Sequence, residues 1–299
     1  MSSPKPVSSP KVPYVYAGHE KELGGGFIVR RLLPGHPQRY VGPFVFFDHF
    51  GPTDIDAGQN IDVRPHPHIG LATVTYLFEG EMMHRDSLGS VQRIRPGDIN
   101  WMTAGRGIVH SERTTDENRG KAWRSHGLQL WVALPREAEE CPPAFHHHAA
   151  DSLPCWQEDA VRLRLMAGSS GGRQSPVEVS SPMIYMDLRW EQDGHWTVPA
   201  EHAERALYVI AGQVNVDGKP VTPRHLALLA PGEEVRVEAA LGTRAVLVGG
   251  APLDGPRYIW WNFVSSSKER LEQAKADWAE ERFDSIPGDD KERIPLPQR

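Results

Sequence analysis

Two short stretches in the first half of this 299-residue chain carry side chains suited to metal chemistry. RPHPHIG supplies His66 and His68, and GRGIVHSER supplies His110 and Glu112. On an extended strand, residues two apart project to the same face, so each pair points one way. Two such pairs on neighbouring strands would set three imidazoles and a carboxylate around one point, a ligand set for a first-row transition metal. A lone buried histidine is usually a hydrogen-bonded core residue. Two such pairs, each framed by Gly and Pro turns, are hard to explain that way. Four ligands leave one or two positions open on a five- or six-coordinate ion. That suits a redox iron or a Lewis-acid centre better than a closed tetrahedral zinc. The reading is a mononuclear centre with room for water, O₂ or a chelating substrate.

Strands must position these pairs, and the surrounding sequence reads as strands. LATVTYLFEGE alternates, with Ala72, Val74, Tyr76 and Phe78 on one face and Thr73, Thr75 and Leu77 on the other. Pro96-Gly97-Asp98 is a turn, and Gly105-Arg106-Gly107 lets the backbone bend close to His110. PFVFFDHF (Pro43 to Phe50) reads as a strand buried on both faces. Asp48 and His49 interrupt it, as a structural hydrogen-bonded pair or as support for the metal. Phe46, Trp101 and Met102 are candidate walls of an apolar slot, with core packing the plainer role. Short strands separated by turns indicate an all-β barrel or sandwich.

The first 13 residues hold four Pro and four Ser, and disorder is expected to about residue 20. Gly24-Gly25-Gly26 should be a turn before a strand over Phe27 to Leu33. The N-terminal metal-binding unit is placed at 21–135 and a linker at 136–154. Within that linker His146, His147 and His148 read as a solvated loop, because three consecutive residues of an extended segment cannot face one point. Over 155–264 the short-strand pattern returns, with a hairpin turn at Asp217-Gly218 and Pro231-Gly232 echoing Pro96-Gly97. That half reads as having no HxH and no HxE pair and is expected to be metal-free. In 265–299, Ser265 to Ser267 are candidate N-caps, and Leu271, Ala274 and Trp278 at helical spacing predict a helix over about 267–282, followed by an extended tail.

A net charge of −6 with no block of like charge gives no footprint for a nucleic-acid backbone. No apolar run approaches the roughly 20 residues of a membrane span. MSSPKPVSSPKVP lacks the apolar core of a secretory signal, so a cytoplasmic location is expected. Cys141 and Cys155 are expected to be free thiols, and closed barrels with few free edges make a monomer the expectation.

The block HPHIGLATVTYLFEGEMMHRDSLG, followed by IRPGDINWMTAGRGIVHSER, resembles the pirin family of the cupin superfamily. The match is dense over about residues 23–135 and thinner through PFVFFDHF, HGLQLWVALP and GAPLDGP. The resemblance implies an all-β bicupin, two packed jelly-roll cupin β-barrels with a C-terminal helix. It implies a single non-haem Fe(II) held by His66, His68, His110 and Glu112, with Mn, Co, Ni, Cu or Zn as other candidates, and a metal-free second barrel. Many pirins carry an Arg and a Glu where this chain has Ile69 and Ala72, and a more apolar site rim is expected from that change. For activity, the resemblance points to quercetin 2,3-dioxygenase-like cleavage of a small planar flavonol, with Glu112 as the candidate base, since a ligand carboxylate can detach and take a proton. The other reading is a non-catalytic iron-dependent regulator that contacts a protein partner. A sugar- or small-acid-converting cupin is a weaker third.

Overall fold

Alternating apolar residues along short strands fold the chain into two packed β units, each with a larger and a smaller sheet. The computed structural model describes residues 11–23 and 28–298. In the N-terminal unit the larger sheet runs Ala144–His148, Ile99–Thr103, Leu71–Glu79, Trp123–Ala133, Phe44–Ile55, Ile28–Leu33 and His19–Glu22. Its smaller sheet runs Val63–His68, Ile108–Arg113, Met82–Asp86 and Val91–Ile94. In the C-terminal unit the larger sheet is built around Glu204–Ala211, Arg244–Gly250 and Met183–Trp190, and the smaller one around Val235–Ala239. This is the two-domain cupin arrangement that the resemblance implied.

The two larger sheets meet in one shared core. Phe44, Phe47, Val74, Tyr76 and Trp101 from the first unit pack with Met166, Tyr185, Tyr208 and Val246 from the second. Within this core Tyr76 donates its hydroxyl hydrogen to Asp187 at 2.9 Å, and Arg244 grips the same carboxylate through two bonds of 2.8 and 2.6 Å. The Arg244 guanidinium also lies over the Phe78 ring at 4.0 Å. A buried carboxylate needs such partners to stay charged.

The chain is more interleaved than its composition suggests. The segment expected to be disordered to residue 20 holds two strands, and Tyr14–Ala17 pairs with His225–Leu229 of the far unit. Val12, Val15 and Tyr16 supply the apolar contacts there, which the Pro/Ser content masked. Residues 1–10 and the Gly24-Gly25-Gly26 turn lie outside the described residues. The His146–His148 run is also a strand, not a loop: Ala144–His148 pairs with Ile99–Thr103, and Asn100 Oδ1 lies 2.7 Å from His147 Nδ1. Backbone pairing on an open sheet edge overrode the polar composition. Cys141 and Cys155 are free thiols.

The α-helix covers Lys268–Ala279, capped by Ser267, whose hydroxyl accepts from the Arg270 amide at 3.2 Å. Leu271, Ala274 and Trp278 are its buried residues. They pack on Ile69, Val109 and Phe263, so the helix lies against the N-terminal unit. It ends three residues short of the expectation, with Glu281 at φ 59° in the left-handed region that breaks a helix.

Candidate metal centre

The Val63–His68 and Ile108–Arg113 strands pair antiparallel with His110 opposite His66 and Ile108 opposite His68. This register turns the two sequence pairs into one cluster. The ring centroids of His66 and His110 are 4.3 Å apart, and His68 lies 5.0 Å from each of them. One donor nitrogen from each of the three can be chosen so that all lie within 4.8 Å of one another. All three histidines are buried.

Protonation suits these rings to metal binding. His66 Nδ1 sits 2.8 Å from the Arg64 carbonyl, and His68 Nδ1 sits 3.0 Å from the Asn262 carbonyl. A carbonyl only accepts, so both rings carry hydrogen on Nδ1 and leave the Nε2 lone pair free. Burial pushes His66 down to about 4, against the opposing bond to Arg64. Burial, then the neighbouring histidines, hold His68 and His110 well below the usual range. Among the described residues His110 has no hydrogen-bond partner on either ring nitrogen. A buried polar atom without a partner costs about 1–3 kcal/mol. A cation between the three rings would supply the missing partner, so the donor set fits a transition metal.

Glu112 stands two residues beyond His110 on the same strand, but its carboxylate lies outside the 4.8 Å cluster of histidine nitrogens. Its Oε1 is 3.3 Å from the Thr75 hydroxyl, which is also 2.8 Å from Gln129 Oε1. Burial raises its pKa to about 7, with the Thr75 bond opposing.

Two supports escaped the sequence reading. His84 faces Glu112 across the Met82–Asp86 strand, with its ring 5.4 Å from His110, stacked on Phe145 at 4.1 Å. Its Nε2 pairs with Asp86 at 2.8 Å. The two-residue spacing of His84 and Asp86 is the signal that could have found it. The Asn262 carbonyl had no such signal. It comes from a tight turn where Trp261 holds φ 52°, a left-handed conformation costing a bulky residue about 1 kcal/mol. Gly70 makes room for this hairpin: at φ 67°, a Cβ there would lie 2.0 Å from the Val264 carbonyl oxygen.

Several other expectations sort by strand alternation. Trp101 lies in the core between the two units, so it is not a wall of the metal pocket. Met102 packs with Ile108 and Phe145 beside the site. Phe46 stacks on Trp131 at 4.0 Å, and the Trp131 ring lies 5.3 Å from His68. Ile69 lies under the C-terminal helix and Ala72 between the two units. Neither lines the pocket, so the expected apolar rim does not arise from them. Asp48 pairs with Arg31 through bonds of 2.8 and 2.7 Å. His49 lies 2.7 Å from the Tyr208 hydroxyl and 2.8 Å from His126, so this pair is structural. Contrary to the sequence reading, the second unit does hold one HxE pair, His202 and Glu204. His202 Nε2 bonds to the Ser169 carbonyl at 2.9 Å and Glu204 Oε2 accepts from the Gly42 amide at 2.7 Å, and among the described residues neither joins a cluster of three candidate ligands.

With this geometry in hand, comparison with known proteins is informative. The family model described as Pirin matches residues 26–132, and the Pirin C-terminal cupin domain matches residues 185–284. A pirin-like protein of Caulobacter vibrioides is 49% identical, over 95% of this chain and 99% of its own length. Human pirin is 32% identical, over 91% of this chain and 93% of its own. A crystal structure of quercetin 2,3-dioxygenase from Acinetobacter baumannii superimposes with a TM-score of 0.89 at 36% identity, covering 96% of this chain and 95% of that one. Among the described residues no helix is long and apolar enough to cross a membrane.

Proposed function

The chain belongs to the pirin family, and from that premise we propose that it is an Fe(II)-type dioxygenase opening quercetin-like flavonols with O₂. The metal would be held by His66, His68, His110 and Glu112. The observation that carries this reading is the buried His110 ring, with no partner on either nitrogen at the centre of three neutral imidazoles. The solved relative named quercetin 2,3-dioxygenase supports the substrate class.

When bound, the ion would supply Lewis acidity toward a hydroxy-ketone edge and a place for O₂. The chain's own groups do the rest. Glu112 is suited to take the flavonol 3-hydroxyl proton, since a ligand carboxylate can detach from the ion and accept it. Thr75 has one hydroxyl hydrogen to give, to Glu112 Oε1 at 3.3 Å or to Gln129 Oε1 at 2.8 Å. Phe145, Met102 and the Phe46–Trp131 stack offer flat apolar surface to an aromatic ligand. Ring opening inserts both oxygen atoms and releases carbon monoxide.

Anaerobic reconstitution with Fe(II), Mn(II), Co(II), Ni(II) or Cu(II), followed by quercetin and oxygen, tests it. Carbon monoxide release with flavonol loss is expected, and no flavonol loss with any metal would sink the enzyme reading.

A second reading, an iron-dependent regulator acting through protein contacts, draws on one feature. The ligand strand is tied to the protein's exterior, since Arg113 pairs with Asp289 and Glu292 of the C-terminal segment. Either reading takes the protein as a cytoplasmic monomer without nucleic-acid or membrane contact.

A further inference from the structure

Glu112 sits at a slip in the pairing on one side of its strand, while the pairing with Met82–Asp86 on the other side runs through it without a shift. Pairing between Ile108–Arg113 and Val63–His68 is regular up to His110 opposite His66, then slips, so that Glu112 comes opposite Val63. Such a bulge interrupts the ladder and bends the strand. Nothing in that pairing fixes the angle at which Glu112 leaves the backbone.

The correction comes from outside the sheet. Ser111 and Arg113 flank Glu112, alternate to the opposite face, and are both buried. They meet one carboxylate. Ser111 Oγ donates to Asp289 Oδ2 at 2.6 Å, while Arg113 donates through Nε to Oδ2 at 2.9 Å and through Nη2 to Oδ1 at 2.7 Å. Three bonds, two from a guanidinium in its forked geometry, make this a directional clamp rather than a diffuse ion pair. The same C-terminal segment reaches the other ligand strand, where the Ile294 amide donates to the Pro65 carbonyl at 2.9 Å, next to His66. It is tied down in turn by Trp278 Nε1, which donates to the Ile294 carbonyl at 3.0 Å.

We propose that Asp289 is a positioning residue for the metal centre: by clamping Ser111 and Arg113 from the outer face, it fixes the direction in which His110 and Glu112 present to the ion. The proposal rests on the metal reading above. Groups that orient a ligand typically change metal affinity about 10–100-fold when removed, and Asp289 acts on two ligands through the backbone they share.

Co(II) is the probe. The full-length protein, Asp289→Ala, Asp289→Asn and Ser111→Ala are each titrated with Co(II), following the visible ligand-field bands and measuring affinity by chelator competition. Metal-free melting is recorded in parallel. Asp289→Ala should bind Co(II) about 10–100-fold more weakly with altered bands. Asp289→Asn, which keeps one acceptor oxygen, should recover part of both. Ser111→Ala should show a smaller change in the same direction. A merely structural clamp would lower the melting temperature of Asp289→Ala and leave the Co(II) bands and affinity as in the unaltered protein, and that result overturns the proposal. If Asp289→Ala does not fold, Ser111→Ala decides, because it removes one hydroxyl; unchanged bands and affinity there overturn the proposal too. Failure of the unaltered protein to bind Co(II) would overturn the metal reading and this inference together.

Discussion

His66 and His110 face each other directly across an antiparallel ladder, with ring centroids 4.3 Å apart. His66 is oriented by the Arg64 carbonyl. His110 has no partner on either nitrogen. This asymmetry makes His110 the residue with most to gain from an ion and most to lose without one. His110→Leu should therefore leave the metal-free fold as stable as before, or more stable by about 1 kcal/mol, because a buried unpaired group is removed. The same change should abolish the rise in melting temperature that metal produces. Differential scanning calorimetry with and without Co(II) checks both halves. A large loss of metal-free stability would mean that His110 is satisfied in some other way.

The pH dependence of the metal-free protein should have two limbs. Glu112 has a folded pKa of about 7, above its ordinary value. The folded state therefore holds this proton more tightly than the unfolded chain, and stability falls as pH rises toward and through 7. The loss, about 3 kcal/mol in all, is spread between roughly pH 4.5 and 7 and levels off above 7. His66, pushed down to about 4, and His49, pushed down to about 3, have the opposite sign. The unfolded chain takes up their protons first, so stability falls as pH drops below 6.5 toward those values. Urea unfolding across this range should show a maximum near pH 6. In Glu112→Gln the alkaline limb should flatten. If the limb persists in that variant, Glu112 is not its source.

Metal uptake should follow the same proton. Binding requires an unprotonated carboxylate, so apparent affinity should rise up to about tenfold per pH unit below 7 and level off above. Glu112→Gln should remove that slope while lowering affinity at pH 8. Isothermal titration with Co(II) in buffers of differing ionisation enthalpy would count the released proton directly. A pH-independent affinity in the unaltered protein would remove Glu112 from the ligand set.

The two units are joined by a buried charge cluster. Arg244→Met should cost about 3–5 kcal/mol by leaving Asp187 buried against Tyr76 with only the half-exposed Arg189, at 3.3 Å, as a cation. Pairing it with Asp187→Leu should restore most of that loss, since a buried ion pair is often replaceable by apolar packing. A double-mutant cycle in denaturant measures the coupling. Simple additivity of the two changes would show that the pair does not act as a unit.

The sequence carried the metal trio because a two-residue period is enough to place HxH and HxE side chains on one face of a strand. It could not carry the register that sets His110 against His66, which depends on where two distant strands begin to pair. The same limit explains Trp101 and Ala72. Strands of the larger sheet bury both faces, one against the metal pocket and one against the other unit, so alternation alone does not say which face is which. The helix was legible from Ser267, Leu271, Ala274 and Trp278. The partners it brings to the ligands, Asn262 and Asp289, were not, because a backbone carbonyl and a tail aspartate have no pattern in one dimension. Tyr14–Ala17 was hidden in the same way by the prolines and serines before it.

The central claim is the metal centre, and metal analysis tests it most directly. Purified protein and a His66→Ala, Glu112→Ala double variant, both expressed without added metal and then reconstituted anaerobically with Fe(II), should be compared by inductively coupled plasma mass spectrometry. The account predicts about one iron per chain in the unaltered protein and almost none in the variant, by the ligand logic of a single open-sited ion. Stoichiometric iron in the double variant, or none in the unaltered protein with any first-row metal, would contradict it.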